Sequence, residues 1–75
     1  MCGIIGYIGK EKAKPILING LKALEYRGYD SAGIAVLTYN KVEVRKSVGQ
    51  VKILEKSLAN GSDFDGHLGI GHTRW

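Results

Sequence analysis

Four short strand-like runs are interspersed with two segments of helical spacing, and this arrangement limits the chain to a small α+β fold. The runs cover residues 3–8, 31–37, 41–48 and 68–72. In the third run valines alternate with polar residues, except that Lys46 falls on the apolar face. Because a turn signal at residues 39–41 separates the second run from the third, the pattern predicts a hairpin over residues 31–48.

The two helical segments cover residues 13–26 and 50–59. The apolar residues of the first recur at three- and four-residue spacing, which is typical of one buried helix face: Ala13, Ile16, Leu17, Leu21 and Leu24. Gly20 inside this segment is either a weak point or a site of close packing. Gly28 and the pair at 60–61 are predicted to end the two helices. The predicted order is strand, helix, strand, strand, helix, strand around a mostly antiparallel sheet.

The length of the chain and its single cysteine narrow the class of protein. A chain of 75 residues allows one small domain, which buries only about 60% of the surface that its unfolded form exposes. One cysteine cannot form an internal disulfide, and the sequence has no Cys/His cluster at zinc-finger spacing. A lone free thiol fits a reducing compartment, so we predict a cytoplasmic protein.

The patterns of charge and hydropathy argue against several function classes. The net charge of +4 comes from lysines interleaved with acids, and no run of five like charges occurs. Nucleic-acid sites cluster their basic residues and interleave aromatic ones, so the excess indicates a solvated surface. No apolar stretch approaches the roughly 20 residues of a spanning helix, and the N-terminus does not resemble a signal peptide. We therefore expect neither nucleic acid nor a membrane as a partner.

Cys2 directly follows the initiator methionine. One interpretation is a small apolar residue at a strand start, with a structural or redox thiol. The other is a nucleophile, because removal of Met1 would leave a thiol and a free α-amino group on one residue. The pKa of an α-amino group is about 7.7–8.0, so this group can accept the thiol proton directly or through a water. Such a pair needs no histidine, and neither His67 nor His72 is flanked by an obvious carboxylate partner.

Two further segments are rich in polar and charged residues. Residues 26–33 read Tyr-Arg-Gly-Tyr-Asp-Ser-Ala-Gly. A helix end and a turn account for most of this segment, but its mixture of donors and acceptors is also typical of the edge of a site. Residues 71–75 read Gly-His-Thr-Arg-Trp. Here Arg74 is either a solvated residue at a strand end or, through its planar guanidinium, a bidentate ligand for a substrate carboxylate.

Together, three segments resemble the class II glutamine amidotransferases, which are N-terminal nucleophile enzymes. The segments are CGIIGYIG at residues 2–9, LEYRGYDSAGIAV at 24–36 and GHTRW at 71–75. Within that group, the tyrosines of the second segment and the tryptophan of the third resemble the glucosamine-6-phosphate synthase family. The amidophosphoribosyltransferases more often have HRGQDSAG and a tyrosine after the arginine. The resemblance covers the whole chain, with the segments in the family's order.

The resemblance implies a fold and a reaction. The fold would be part of the four-layer αββα sandwich of N-terminal nucleophile hydrolases, with residues 1–75 as the first part of a glutamine amidotransferase type 2 domain. Cys2, made N-terminal by loss of Met1, would attack the side-chain amide of L-glutamine and release ammonia. A sugar-isomerase domain would pass the ammonia to fructose 6-phosphate. The resemblance implies no cofactor or metal, and a homodimer for the full-length protein.

The resemblance also implies roles for five further residues. Arg74 would hold the α-carboxylate of glutamine, and Thr73 and Trp75 would line the glutamine pocket. Arg27 and Gly28 would lie beside the catalytic amine, with the Gly28 carbonyl as the group that orients it.

The sequence departs from the family because it ends at residue 75. The family's oxyanion-hole residues, the aspartate that binds the glutamine amino group and the sugar domain all come later. Losing one oxyanion donor typically costs about 10²–10³ in rate, so we expect the isolated chain to lack useful glutaminase activity. We also expect an uncovered apolar sheet face, which would make this chain aggregate, dimerise or depend on a missing remainder. Two alternatives stay open: the glutaminase part of an amidophosphoribosyltransferase, and a non-catalytic α+β module with a structural thiol.

Overall fold

The computed structural model describes residues 2–28, 30–59 and 64–74. Its elements follow the predicted order of strand, helix, strand, strand, helix, strand: β1 Gly3–Ile8, α1 Ala13–Leu24, a 3-10 turn Glu25–Arg27, β2 Ser31–Thr38, β3 Lys41–Val48, α2 Val51–Ser57 and β4 Leu68–Arg74. The predicted α+β class is therefore confirmed, and it is compatible with a sandwich of the N-terminal nucleophile type.

The helices are shorter than the apolar spacing predicts. The first leaves α-helical geometry after Leu24 because the chain tightens into the 3-10 turn, which ends at Gly28 as predicted. The second runs from Val51 to Ser57, one residue later and two residues earlier than the prediction. The predicted stop at residues 60–61 lies outside the described residues. The final strand extends two residues beyond the prediction, to Arg74.

The four strands form one antiparallel sheet in the order β1-β4-β2-β3. β2 and β3 form the predicted hairpin, paired from Ser31 opposite Val48 to Thr38 opposite Lys41. The last strand of the chain lies between the first and the second, with Gly3 opposite Thr73 on one side and Ser31 opposite Arg74 on the other. The motifs at the two ends of the sequence are thus on neighbouring strands.

Both helices pack on one face of the sheet and bury the core. Its fully buried residues come from α1, α2 and β2, and include Leu17, Leu21, Ile34, Val36, Val51 and Leu54. Gly20 of α1 is a site of close packing, because a Cβ there would overlap the Cδ1 of Ile5 on β1. The first backbone N–H of α1, from Ala13, donates to the Gly66 carbonyl at 2.8 Å, which fixes the loop before β4 against the helix start.

The opposite face of the sheet is apolar and uncovered. Along each strand, side chains alternate between the helix-covered face and this second face, which we call the open face. Eight large apolar residues lie on it, with 40–81% of their surface exposed: Ile4, Ile8, Leu37, Val42, Val44, Val48, Leu68 and Ile70. The expected uncovered apolar face is therefore present in the described part of the chain.

The valines of β3 belong to this open face rather than to the helix-covered core. β3 is an edge strand, and its polar side faces the second helix and the residues after it. Glu43 accepts a hydrogen bond from the Phe64 N–H at 2.9 Å, and the Arg45 guanidinium donates to the Ser57 carbonyl at 2.6 Å while lying 5.6 Å from the Phe64 ring centroid. These contacts explain how a strand with polar residues on its helix side still packs there.

Candidate active site

Cys2 and Arg74 lie at the same end of the sheet. Gly3, the first residue of β1, is directly opposite Thr73 of β4. Cys2 directly precedes Gly3, Arg74 directly follows Thr73, and both are exposed. The thiol of Cys2 and the guanidinium of Arg74 are thus brought to one end of the sheet by the pairing of Gly3 with Thr73, which are 70 positions apart in the sequence.

Thr73 and Arg74 face opposite sides of the sheet. Thr73 is only 2% exposed on the helix side, and its Oγ1 would be 3.2 Å from a Cβ built on Gly3. The Cδ1 of Leu24 would be only 2.9 Å from that same Cβ. The glycine after Cys2 therefore allows Leu24 and Thr73 to pack closely against the start of β1. Arg74, by strand alternation, is on the open face with His72.

The connector between α1 and β2 reaches the same end. Gly28 has φ 116° and ψ 164°, a backbone conformation that is essentially restricted to glycine. Two residues later, the Asp30 N–H donates to the Arg74 carbonyl at 2.7 Å, and the Asp30 carbonyl accepts from the Gly49 N–H at 2.8 Å. These hydrogen bonds hold the segment with the predicted site residues Arg27 and Gly28 beside the end of β4.

The open face is positively charged near this end. Lys46 of β3 and His72 of β4 converge over Gly33 of β2, since a Cβ at Gly33 would lie 3.0 Å from the His72 Nε2 and 3.1 Å from the Lys46 Cγ. The position of Lys46 confirms the predicted break in the apolar alternation. A cavity of about 240 Å³ opens beside them, lined in part by Ser31 and Val48. The described strands place no acidic side chain on this face, so this end favours an anionic group.

The structure describes five of the six predicted site residues, although for Arg27 it describes only the backbone. Cys2, Gly28, Thr73 and Arg74 are at one end of the sheet, and the backbone of Arg27 forms the end of the 3-10 turn. Trp75 lies outside the described residues, and so does Tyr29 of the connector. Glu25 is a residue that the sequence analysis missed. Its carboxylate accepts a hydrogen bond from the Val51 N–H of α2, a contact that no local sequence signal indicates.

Metal ligands and membrane-spanning helices are not found in the described residues. Within residues 2–28, 30–59 and 64–74, no group of three His, Cys, Asp or Glu side chains is arranged to hold a metal ion. No helix in these ranges is both long and apolar enough to cross a membrane.

Comparison with known proteins gives matches over the whole chain. No protein-family model matches it. Three curated relatives are each named glutamine–fructose-6-phosphate aminotransferase (isomerizing): those of Staphylococcus aureus strain Mu50, Staphylococcus epidermidis and Clostridium perfringens are 59%, 57% and 56% identical to it. Each match covers all 75 residues of the chain but only 12% of the relative. Over its entire length, the chain is therefore similar to the N-terminal 12% of glutamine–fructose-6-phosphate aminotransferases.

Proposed function

We propose that this chain is the first part of a glutaminase domain in which Cys2 is the nucleophile that releases ammonia from L-glutamine. The observation that carries the proposal is the Gly3–Thr73 pair, which brings Cys2 and Arg74 to one end of the sheet. The 59% identity to a glutamine–fructose-6-phosphate aminotransferase supports the same reaction.

The reaction follows from a thiol and an amine on one residue. After loss of Met1, the α-amino group of Cys2 accepts the thiol proton, and the thiolate attacks the side-chain amide carbon of glutamine. The carbon–nitrogen bond breaks, and the amine returns the proton to the departing nitrogen, which leaves as ammonia. Water then attacks the γ-glutamyl thioester, so that glutamate is released and the thiol is restored.

The remaining predicted residues bind glutamine or orient the catalytic amine. Arg74 holds the α-carboxylate of glutamine through its two-pronged guanidinium, at the positive end of the open face. Thr73 and Trp75 line the glutamine pocket, and the burial of Thr73 behind Gly3 supports a role in shaping it rather than in direct charge contact. Arg27 and Gly28 lie beside the catalytic amine, and the Gly28 carbonyl accepts a hydrogen bond from it.

The chain works as part of a longer protein. The apolar open face supports a second sheet layer packed against it, as in a four-layer αββα sandwich. The oxyanion hole and the sugar-isomerase domain, which uses the ammonia to convert fructose 6-phosphate to glucosamine 6-phosphate, come from the rest of that protein. The isolated chain then has no useful glutaminase activity. A cytoplasmic homodimer remains the prediction for the whole protein.

Two alternatives make different predictions. The glutaminase of an amidophosphoribosyltransferase would share the Cys2 chemistry but would deliver ammonia to a phosphoribosyl acceptor. A non-catalytic module would use Cys2 as a structural or redox thiol and would be indifferent to Met1. The names of the relatives favour fructose 6-phosphate as the acceptor.

A chimera tests the proposal directly. These 75 residues replace the matched stretch of the Staphylococcus aureus relative, and glutamate formation from glutamine is measured with fructose 6-phosphate present. We expect an active chimera whose intact mass shows loss of Met1, and expect Cys2→Ala to abolish glutamate formation. The exposed Lys52→Ala of α2 serves as the control and should be fully active. Undiminished glutamate formation by the Cys2→Ala chimera would overturn the mechanism.

A further inference from the structure

Glu25 makes two hydrogen bonds that hold the connector before β2. Its carboxylate Oε2 accepts from the N–H of Val51, the first residue of α2, at 2.8 Å in a partly buried position. Its backbone carbonyl accepts from the Gly28 N–H at 2.9 Å. The residue therefore fixes the turn that leads to Gly28 and links this turn to a helix 26 positions later in the sequence.

Asp30 provides the matching contacts on the other side of the connector. Its carbonyl accepts from the Gly49 N–H at 2.8 Å, and its N–H donates to the Arg74 carbonyl at 2.7 Å. Gly49 and Val51 are both in the corner between β3 and α2. The residues of this corner therefore donate hydrogen bonds to both ends of the segment that contains Gly28.

Gly28 lies between these two anchors in a conformation that needs support. A residue with φ 116° and ψ 164° occupies a region that is costly for other residue types and persists when the surroundings hold it. The same two angles, together with the orientation of the turn, determine where the Gly28 carbonyl points. Contacts that fix the turn therefore fix the direction of this carbonyl.

We infer that Glu25 is a positioning residue, which directs the Gly28 carbonyl toward the α-amino group of Cys2 by anchoring the connector to α2. The inference rests on the proposed function, because the amine acts only in that mechanism. Glu25 touches neither substrate nor the reacting atoms. Its effect is expected in the chemical step, where the amine moves a proton, rather than in the binding of the glutamine carboxylate.

The test compares two variants of Glu25 in the chimera with the Staphylococcus aureus relative. Glu25→Ala should lower kcat for glutamate formation by about 10- to 100-fold, since small misplacements of catalytic groups have effects of this size. KM for glutamine should stay within about twofold, because interactions made only in the transition state affect kcat. Glu25→Gln keeps an oxygen acceptor for the Val51 N–H and should restore kcat to within about threefold of the parent.

Two control variants separate positioning from stability. Glu55→Ala removes another α2-linked carboxylate contact, the exposed ion pair with Lys22, and should leave kcat unchanged. Leu54→Val shortens a fully buried side chain of the same helix and should lower the melting temperature without lowering kcat. If Leu54→Val and Glu25→Ala reduce kcat in proportion to their losses of melting temperature, Glu25 has only a structural role and the inference is wrong.

The outcome for Cys2 distinguishes failure of the inference from failure of the proposed function. If Cys2→Ala abolishes glutamate formation while Glu25→Ala keeps the parent kcat, the inference alone fails. If Cys2→Ala is as active as the parent, the proposed function fails first. If Glu25→Gln is as impaired as Glu25→Ala, the hydrogen bond to Val51 is not what positions the connector, and the inference also fails.

Discussion

Gly3 lies directly opposite Thr73, and a Cβ on this glycine would be 3.2 Å from the Thr73 Oγ1. This pair joins β1 and β4 at the end of the sheet where Cys2 precedes β1 and Arg74 ends β4. Because β4 also pairs with β2, the same strand end receives the Asp30 N–H from the connector. The candidate site is therefore assembled by strand pairing rather than by any one loop.

The first prediction concerns the guanidinium of Arg74. In the chimera, Arg74→Lys should raise KM for glutamine by about tenfold and leave kcat within a few fold, because a lysine keeps the charge but loses the two-pronged contact with a carboxylate. Steady-state glutamate formation measures both constants. Arg45→Lys is the matched control, since Arg45 contacts Ser57 and Phe64 on the helix side of β3. Equal effects of the two substitutions on KM would contradict the assignment of Arg74.

The second prediction concerns Gly20 in α1. Replacing a helical glycine by alanine usually stabilises a helix by about 1 kcal/mol. Here Gly20→Ala should instead destabilise by about 1–3 kcal/mol, because the new Cβ overlaps the Cδ1 of Ile5. Hydrogen exchange at the α1 amides of the chimera measures the change. Adding Ile5→Val, which removes the Cδ1 methyl group, should slow this exchange again. Slower exchange in Gly20→Ala alone than in the parent would contradict the prediction, because it would show that Ile5 moves aside at little cost.

Local patterns in the sequence predict the elements well. The apolar spacing from Ala13 to Leu24 and the four strand-like runs depend on neighbours a few residues apart, so local patterns predict them. The stop at Gly28 is also a local signal, and its positive φ confirms it. The placement of Lys46 on an apolar strand face follows from alternation alone.

Contacts between distant parts of the chain are not predictable in this way. Nothing in the local pattern of β4 indicates that it inserts between β1 and β2, although this insertion creates the Gly3–Thr73 pair. Alternation in β3 separates its valines from its polar residues but does not say which side the helices cover. The bond from Val51 to Glu25 likewise depends on where the fold brings α2. The resemblance to a family predicted the site residues, but not the contacts that hold them.

The third prediction concerns pH. The hydrogen bond from the Phe64 N–H is the main cause that holds the pKa of Glu43 below its ordinary value of 4.5. As the pH falls, the unfolded chain therefore binds this proton before the folded one does, so stability from Glu43 is present above pH 4.5 and is lost below it. Glu43→Gln should lose less stability than the parent as the pH falls through 4.5, because the pKa of Glu43 in the folded chain is lowered from that value. Urea unfolding of the chimera above and below pH 4.5 measures this difference. Identical losses in the two proteins would contradict it.

The last prediction concerns the open face in the 75-residue chain studied alone. Eight large apolar side chains are exposed there, which exceeds the scattered apolar residues of an ordinary surface, so the chain should self-associate in solution. Ile70 and Val44 lie on either side of Ala35 at the centre of this face. Replacing both by lysine should reduce association strongly, as measured by light scattering after size-exclusion chromatography.

Added charge alone also opposes association, so a variant with the same two extra charges elsewhere is the necessary comparison. Ile53→Lys with Ala59→Lys places them at exposed positions in and just after α2, away from the open face. This control should associate nearly as strongly as the parent, because the apolar sheet face is intact. If the control dissociates as fully as the Val44 and Ile70 variant, net charge rather than the open face governs association. A parent chain that is monomeric at high concentration would contradict the prediction outright, and with it the need for a second layer against this sheet.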